Sequence, residues 1–177
     1  MAAVSMATLT HPFAPVWDAR SRVLILGSFP SPRSRAFGFY YGHPQNAFWR
    51  TLAQALSVPE PATDKAAKRT FLHENHIALW DVLHSCEIRG ADDASIRNPV
   101  PHQFRPLLDG SDIRAIFTTG KAATALFNRL AAQEAGMVAQ YLPSTSPANR
   151  GRWQDAAFHT AWAAVRTAVN FSNQEDA

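Results

Sequence analysis

The chain has 177 residues, 46% of them apolar and 18% charged, with a formal net charge of +3 and a sequence pI near 9.4. This composition builds one globular core and excludes a disordered chain, and no apolar run approaches the ~20 residues of a membrane helix. Cys86 is the only cysteine; it excludes an intrachain disulfide and a cluster held by four cysteines, and it fits a reducing cytoplasm.

Residues 1–20 read as a loose lead-in, since Met1 to Pro15 lacks the basic start and long apolar stretch of a signal peptide. Val23-Leu24-Ile25-Leu26 is the first of four short apolar runs that predict buried strands. From Ser28 to Val58 there is no Asp or Glu, but there are Arg33, Arg35 and Arg50, so any surface made here is positive. Phe48, Trp49, Leu52, Ala55 and Leu56 then recur at helical spacing. Thr63 to Asn75 opens with a capping residue and an acid and continues with Ala67 and Phe71 four apart, a second helix. Ile77-Ala78-Leu79-Trp80 predicts the second strand and Ile113 to Phe117 the third; a helix follows Gly120 from Ala122 to Leu130. Val138 to Leu142 predicts the fourth strand. Trp153, Ala157, Ala161, Ala164, Val165 and Ala168 mark a last amphipathic helix, and Ser172 to Ala177 a polar tail. Strands alternating with helices imply an α/β fold, a three-layer α/β/α sandwich around a four-stranded parallel sheet, in one domain spanning 1–177. Its site belongs beyond the carboxyl ends of the strands, at Gly27, Asp81, Thr118 and Pro143 onward.

Three of those loops are unusual. Gly27-Ser28-Phe29-Pro30-Ser31-Pro32-Arg33-Ser34-Arg35 leaves a strand for small, rigid and basic residues; it is either an ordinary rigid turn or a phosphate-contacting loop. Phe39-Tyr40-Tyr41-Gly42-His43-Pro44-Gln45-Asn46-Ala47-Phe48-Trp49 sets three aromatics before a polar turn. Phe48 and Trp49 belong to the helical stripe and so to the core, whereas the aromatics before the turn suit stacking on a planar base. Asn46 either caps the helix or serves the site, and Asp81 is either a cap or a chemical group. Pro143-Ser144-Thr145-Ser146-Pro147-Ala148-Asn149-Arg150 is either a Ser/Pro-rich turn or a loop that grips a nucleic-acid backbone. His73 and His76 lack a zinc-binding pattern, and Thr118-Thr119-Gly120-Lys121 lacks the Gly and Ser/Thr of a nucleotide P-loop, which leaves no metal or cofactor site.

Together these loops resemble the uracil-DNA glycosylase superfamily, and within it the hypoxanthine-DNA (deoxyinosine) glycosylase branch. The resemblance is carried by Leu24 to Trp49, Tyr141 to Arg150, Leu79-Trp80-Asp81-Val82 and Gly120-Lys121-Ala122, and spans Val23 to Val169. Three positions depart from relatives. Phe29 stands where mismatch-specific members have a catalytic Asn, Ser144 where uracil-specific members have a His, and Thr119 where some hypoxanthine-branch members have an Asn. The single cysteine excludes the iron–sulfur branches.

The resemblance implies DNA containing deaminated bases as the partner, and a flipped base, hypoxanthine first and uracil second, cut from its sugar. It assigns catalysis to Asn46, which would orient water, with Asp81 and Ser144 as the further candidates. It assigns base binding to Gly27, Ser28, Phe29, Tyr41 and Thr119. DNA contacts fall to Ser31, Arg33, Lys121, Thr145, Ser146, Arg150 and a wedge at Pro147-Ala148. Lys65 and Lys68 sit on an expected surface helix, so no lysine is placed for a Schiff base and the enzyme would be monofunctional. It would act as a monomer, without cofactor, metal or obligatory protein partner, in the cytoplasm at the nucleoid. Two other readings use the same residues: a lesion-binding module without catalysis, and a flavodoxin-like small-molecule binder.

Overall fold

The computed structural model describes residues 6–171. The elements run β1 (Thr8–Thr10), β2 (Val23–Gly27), α1 (Pro32–Phe37), α2 (Phe48–Leu56), α3 (Lys65–Glu74), β3 (Ile77–Asp81), β4 (Leu83–Arg89) and β5 (Asp92–Pro101). They continue with α4 (Arg105–Asp109), β6 (Ala115–Thr119), α5 (Lys121–Leu130), α6 (Ala132–Ala135), β7 (Ala139–Leu142), a 3-10 turn (Pro147–Arg152) and α7 (Ala156–Asn170). The central sheet is parallel, with order β3-β2-β6-β7. Its strands are the expected ones, shifted by a residue or two at their ends.

Successive residues of β2 face opposite layers, as the period of two in a strand requires. Val23 and Ile25 pack with Leu52 of α2, Leu72 of α3 and Trp162 of α7. Leu24 and Leu26 pack with Leu107 of α4, Phe127 of α5 and Ala135 of α6. Because both faces are covered, all five residues of β2 are buried, and for that reason the strand reads as a continuous apolar run.

Four features of the chain differ from the sequence expectation. The segment from Val82 to Pro101, unassigned by pattern, forms β4 and β5, which join β1 in a separate antiparallel sheet of order β1-β4-β5. The lead-in is therefore not loose where it is described: β1 pairs with β4, and Val16 is buried and bridged to Leu79. Phe39 and Tyr40 are core residues, each 1% exposed, and not base-stacking surfaces. The short helix α1 starts inside the presumed loop, capped by Ser31, and its turn at Gly38 sends the next two aromatics inward; Gly38 has φ 83°, which a residue with a Cβ rarely adopts. Finally, Lys68 is buried rather than superficial, its ammonium 5.1 Å from the Phe37 ring and 5.2 Å from the Trp49 ring. The tail 172–177 and residues 1–5 lie outside the described residues.

Candidate active site

The carboxyl ends of β2, β3 and β6 open into a cleft of about 140 Å³. Gly27, Ser28, Phe29, Tyr41, Asn46, Asp81, Thr119 and Ser144, predicted as catalytic or base-binding, all line it. The parallel register explains this convergence: Gly27 lies beside Asp81, and Leu26 beside Thr118, at one edge of the sheet.

Asp81 ends β3 and is 4% exposed. His11, from the loop after β1, places Nε2 2.7 Å from Asp81 Oδ2. On its other side, His11 Nδ1 lies 3.0 Å from the Phe13 carbonyl and 3.2 Å from the Phe13 backbone N–H, and Nε2 donates to the carboxylate. His102 Nδ1 donates to the Asp81 backbone carbonyl at 2.9 Å, and its ring stacks on Trp80. Burial, reinforced by His11 and His84, pushes the His102 imidazole down to about 4, so it is neutral near pH 7. The close approach of Asp81 is possible because residue 27 is glycine. A Cβ there would lie 2.6 Å from Asp81 Oδ1 and 3.1 Å from Tyr41 Oη.

Tyr41 has φ 50°, a left-handed conformation rare for a bulky side chain. Two contacts hold it. Its ring stacks on Phe48 at 3.8 Å and 6°, and its hydroxyl meets Thr119 Oγ1 at 3.1 Å. Thr119 Oγ1 in turn donates to the Leu26 carbonyl at 3.4 Å, so it receives the Tyr41 proton. Desolvation and Asp81 push the Tyr41 hydroxyl well above its ordinary range, so it stays protonated. Thr119 thus positions Tyr41.

Asn46 lines the cleft and precedes Ala47, the N-cap residue of α2. Its Oδ1 accepts from the Phe48 backbone N–H at 3.0 Å and from Thr145 Oγ1 at 2.8 Å. Both partners are donors in this arrangement, which fixes the amide orientation and leaves Nδ2 without a protein partner among the described residues. Thr145, expected on DNA, lines the cleft but is 1% exposed and gives its hydroxyl to Asn46, which it holds in place. The Ala47 N–H to Thr145 carbonyl bond, 3.0 Å, ties the two loops together.

The remaining DNA-contact candidates surround the cleft. Ser31 and Ser146 line it while capping α1 and the 3-10 turn, Ser146 Oγ accepting from Ala148 N at 3.4 Å. Ser144 Oγ accepts from the Ser146 N–H at 3.1 Å. Arg33, Lys121, Ala148 and Arg150 are exposed and Pro147 is half-buried. Arg150 donates to Gln45 Oε1 at 3.2 Å and lies over Trp153, which also carries Arg50.

Three residues of the site escape the sequence pattern. His11 sits in a stretch without periodicity, His102 follows the unassigned segment, and Asp93 of β5 brings a second carboxylate to the cleft, accepting from Ser28 Oγ at 2.8 Å. A polar residue in a stretch without periodicity carries no local mark of a partner some 70 residues away.

The family model of the Uracil DNA glycosylase superfamily matches residues 14–166. The chain belongs to that superfamily. Two relatives bear the name Hypoxanthine DNA glycosylase. The one from Methanosarcina barkeri (strain Fusaro) is 33% identical over 139 residues, 78% of this chain and 87% of the relative. The one from Methanosarcina acetivorans is 34% identical over 141 residues, with the same coverage. A chain from Methanosarcina acetivorans solved by solution NMR, provisionally assigned as a uracil DNA glycosylase, superposes with a TM-score of 0.74 at 30% identity, covering 92% of this chain and 99% of that one. The protein is a DNA glycosylase, an enzyme that hydrolyses N-glycosidic bonds. Among the described residues no helix is long and apolar enough to cross a membrane.

Proposed function

We propose that this glycosylase excises hypoxanthine from deoxyinosine in DNA, as a monofunctional enzyme. The observation that carries the reading is the Asp81 carboxylate, buried at the cleft floor and held by the His11 N–H. Deamination of adenine converts ring N1 from an acceptor into an N–H donor. A fixed acceptor welcomes that donor and repels the adenine lone pair, a discrimination that buried polar sites make large. The names of the Methanosarcina relatives support the same substrate. The N3–H of uracil suits the same acceptor, which makes uracil the second substrate.

The target nucleotide is flipped out of the duplex. Arg33, Lys121 and Arg150, with Ser31, Ser144 and Ser146, grip the flanking phosphates, and Pro147-Ala148 fills the vacated stack. Tyr41, backed by Phe48, takes the base on its open face, and Ser28, Phe29 and Thr119 shape the pocket around it. Asn46 offers Nδ2 to the oxygen of the attacking water and holds it near the anomeric carbon as positive charge grows on the sugar. The enzyme works as a monomer in the cytoplasm, on nucleoid DNA. An excision panel with hypoxanthine, uracil, xanthine and mismatched thymine in single- and double-stranded DNA tests this reading. Release of hypoxanthine with no release of adenine is expected. Failure to release any deaminated base overturns it and leaves the lesion-binding module.

A further inference from the structure

Asp93 is a second carboxylate in the cleft, delivered by the β4–β5 hairpin and not by the parallel sheet. Its Oδ1 accepts from Ser28 Oγ at 2.8 Å, and no hydrogen bond among the described residues engages Oδ2. Asp81, in the same cleft, is engaged differently: His11 Nε2 lies 2.7 Å from its Oδ2. Two carboxyl groups in one site, one held by a histidine and the other by a serine hydroxyl with an oxygen left open, divide the roles of acceptor and acid between them.

The geometry points to Asp93 as the general acid of the reaction, handing its proton to a ring nitrogen of the departing purine while Asp81 serves as the hydrogen-bond acceptor. This assignment rests on the reading of the cleft as a purine-excising site. The C1′–N9 bond breaks with its electron pair passing into the purine. The Asp93 proton moves to N7 or N3, so the base leaves neutral. Water adds through oxygen to C1′ and loses one proton to solvent, from which Asp93 is reprotonated. Proton donation in the transition state relieves the charge accumulating on the leaving base.

The electrostatic surroundings agree. Asp93 is exposed as a residue, and its carboxyl lines the cleft where Ser28 holds it. Desolvation there raises its proton affinity, the Ser28 hydroxyl lowers it, and Asp81 and Asp92 raise it further. The other groups that face it are Tyr41, from the loop after α1, and Cys86 of β4, whose thiol burial pushes up to about 11; both are neutral near pH 7. Arg35 of α1 lies over Phe29 and is felt by Cys86, and Arg89 is 3.7 Å from Asp92. Phosphates of bound DNA add negative charge near the cleft and favour the protonated form.

The test is Asp93→Asn, which keeps the shape and an acceptor for Ser28 but has no carboxyl proton. Single-turnover excision of hypoxanthine is followed across pH, and binding is measured with a duplex carrying uncleavable 2′-fluoro-deoxyinosine. The wild-type rate is expected to fall as pH rises. Asp93→Asn is expected to bind normally, to be slower by ~100-fold or more at low pH, and to lose that pH dependence. Duplexes carrying 7-deaza- or 3-deaza-hypoxanthine supply the second measurement. Removing the nitrogen that takes the proton slows the wild type and costs Asp93→Asn nothing further. A wild-type rate in Asp93→Asn overturns the assignment. So does a slower variant that keeps the wild-type pH profile and shows an additive deaza effect, which marks a structural role. A wild-type enzyme that binds DNA but releases no hypoxanthine overturns the excision reading, and the acid assignment with it.

Discussion

Asn46 joins the loop after α1 to the loop after β7, and replacing it separates its structural work from its chemical work. Its Oδ1 satisfies two donors, the Phe48 N–H at 3.0 Å and the Thr145 hydroxyl at 2.8 Å. Asn46→Ala leaves both unpaired. Thr145 is 1% exposed, so water does not replace the lost acceptor. An unsatisfied buried donor costs about 1–3 kcal/mol and the lost bond to the Phe48 N–H about 1 kcal/mol, which gives a loss of roughly 2–4 kcal/mol and about 5–15 °C in Tm. Asn46→Asp keeps an oxygen for both donors and adds a negative charge at the start of α2, where the helix favours it. Its Tm is expected to match the wild type. Yet Asp replaces the Nδ2 donor with an acceptor, so it does not hold water as Asn does. Both variants are therefore expected to lose single-turnover excision by ~100-fold or more. Thermal unfolding and single-turnover excision on the pair provide the assay. A stable, fully active Asn46→Asp enzyme refutes the donor role; a fully active Asn46→Ala enzyme moves the chemistry to Asp81 or Ser144.

Gly27→Ala is expected to fold but to lose excision, because its Cβ would meet Asp81 Oδ1 at 2.6 Å and a displacement of about 1 Å at a reacting group costs ~100-fold; circular dichroism with excision assays checks both halves. Tyr41→Ala is expected to weaken lesion binding by ~1–3 kcal/mol, while Phe48→Ala costs ~3–5 kcal/mol of stability, and titration with a lesion duplex beside denaturant unfolding distinguishes the two roles. His102 makes stability pH-dependent. Its folded value of about 4 lies below the ordinary 6.5, so the unfolded chain binds a proton that the folded chain refuses between those values. This contribution is present above about 6.5 and lost as the pH falls toward 4, by about 3 kcal/mol at most. The wild type is expected to lose Tm on acidification more steeply than His102→Phe, and equal slopes refute the assignment.

The parallel sheet and the loops that form the cleft are legible in the amino-acid sequence. A strand covered on both faces must be apolar at every position, so Val23 to Leu26 announces itself, and the connection rules bring the loops after Gly27 and Trp80 to one edge. Asn46 and Tyr41 stand out through an aromatic and amide cluster with no periodic role. Burial decided the rest. Phe39 and Tyr40 differ little from Tyr41 in sequence, and only the α1 turn and the packing of α2 send two rings into the core and leave one at the cleft. β5 escapes pattern reading because most of its residues are exposed and the ladder to β4 is interrupted by bulges, which breaks the alternation that marks a half-buried strand. The polar contacts that tune the site join residues far apart in the chain: His11 to Asp81 across 70 positions, Ser28 to Asp93 across 65, and Asn46 to Thr145 across 99. A hydrogen bond leaves no trace in the sequence around either partner. Apolar burial does, because it must repeat along the whole element, and so this chain shows its sheet and its loops in one dimension and its acid, its acceptor and their supports only in three.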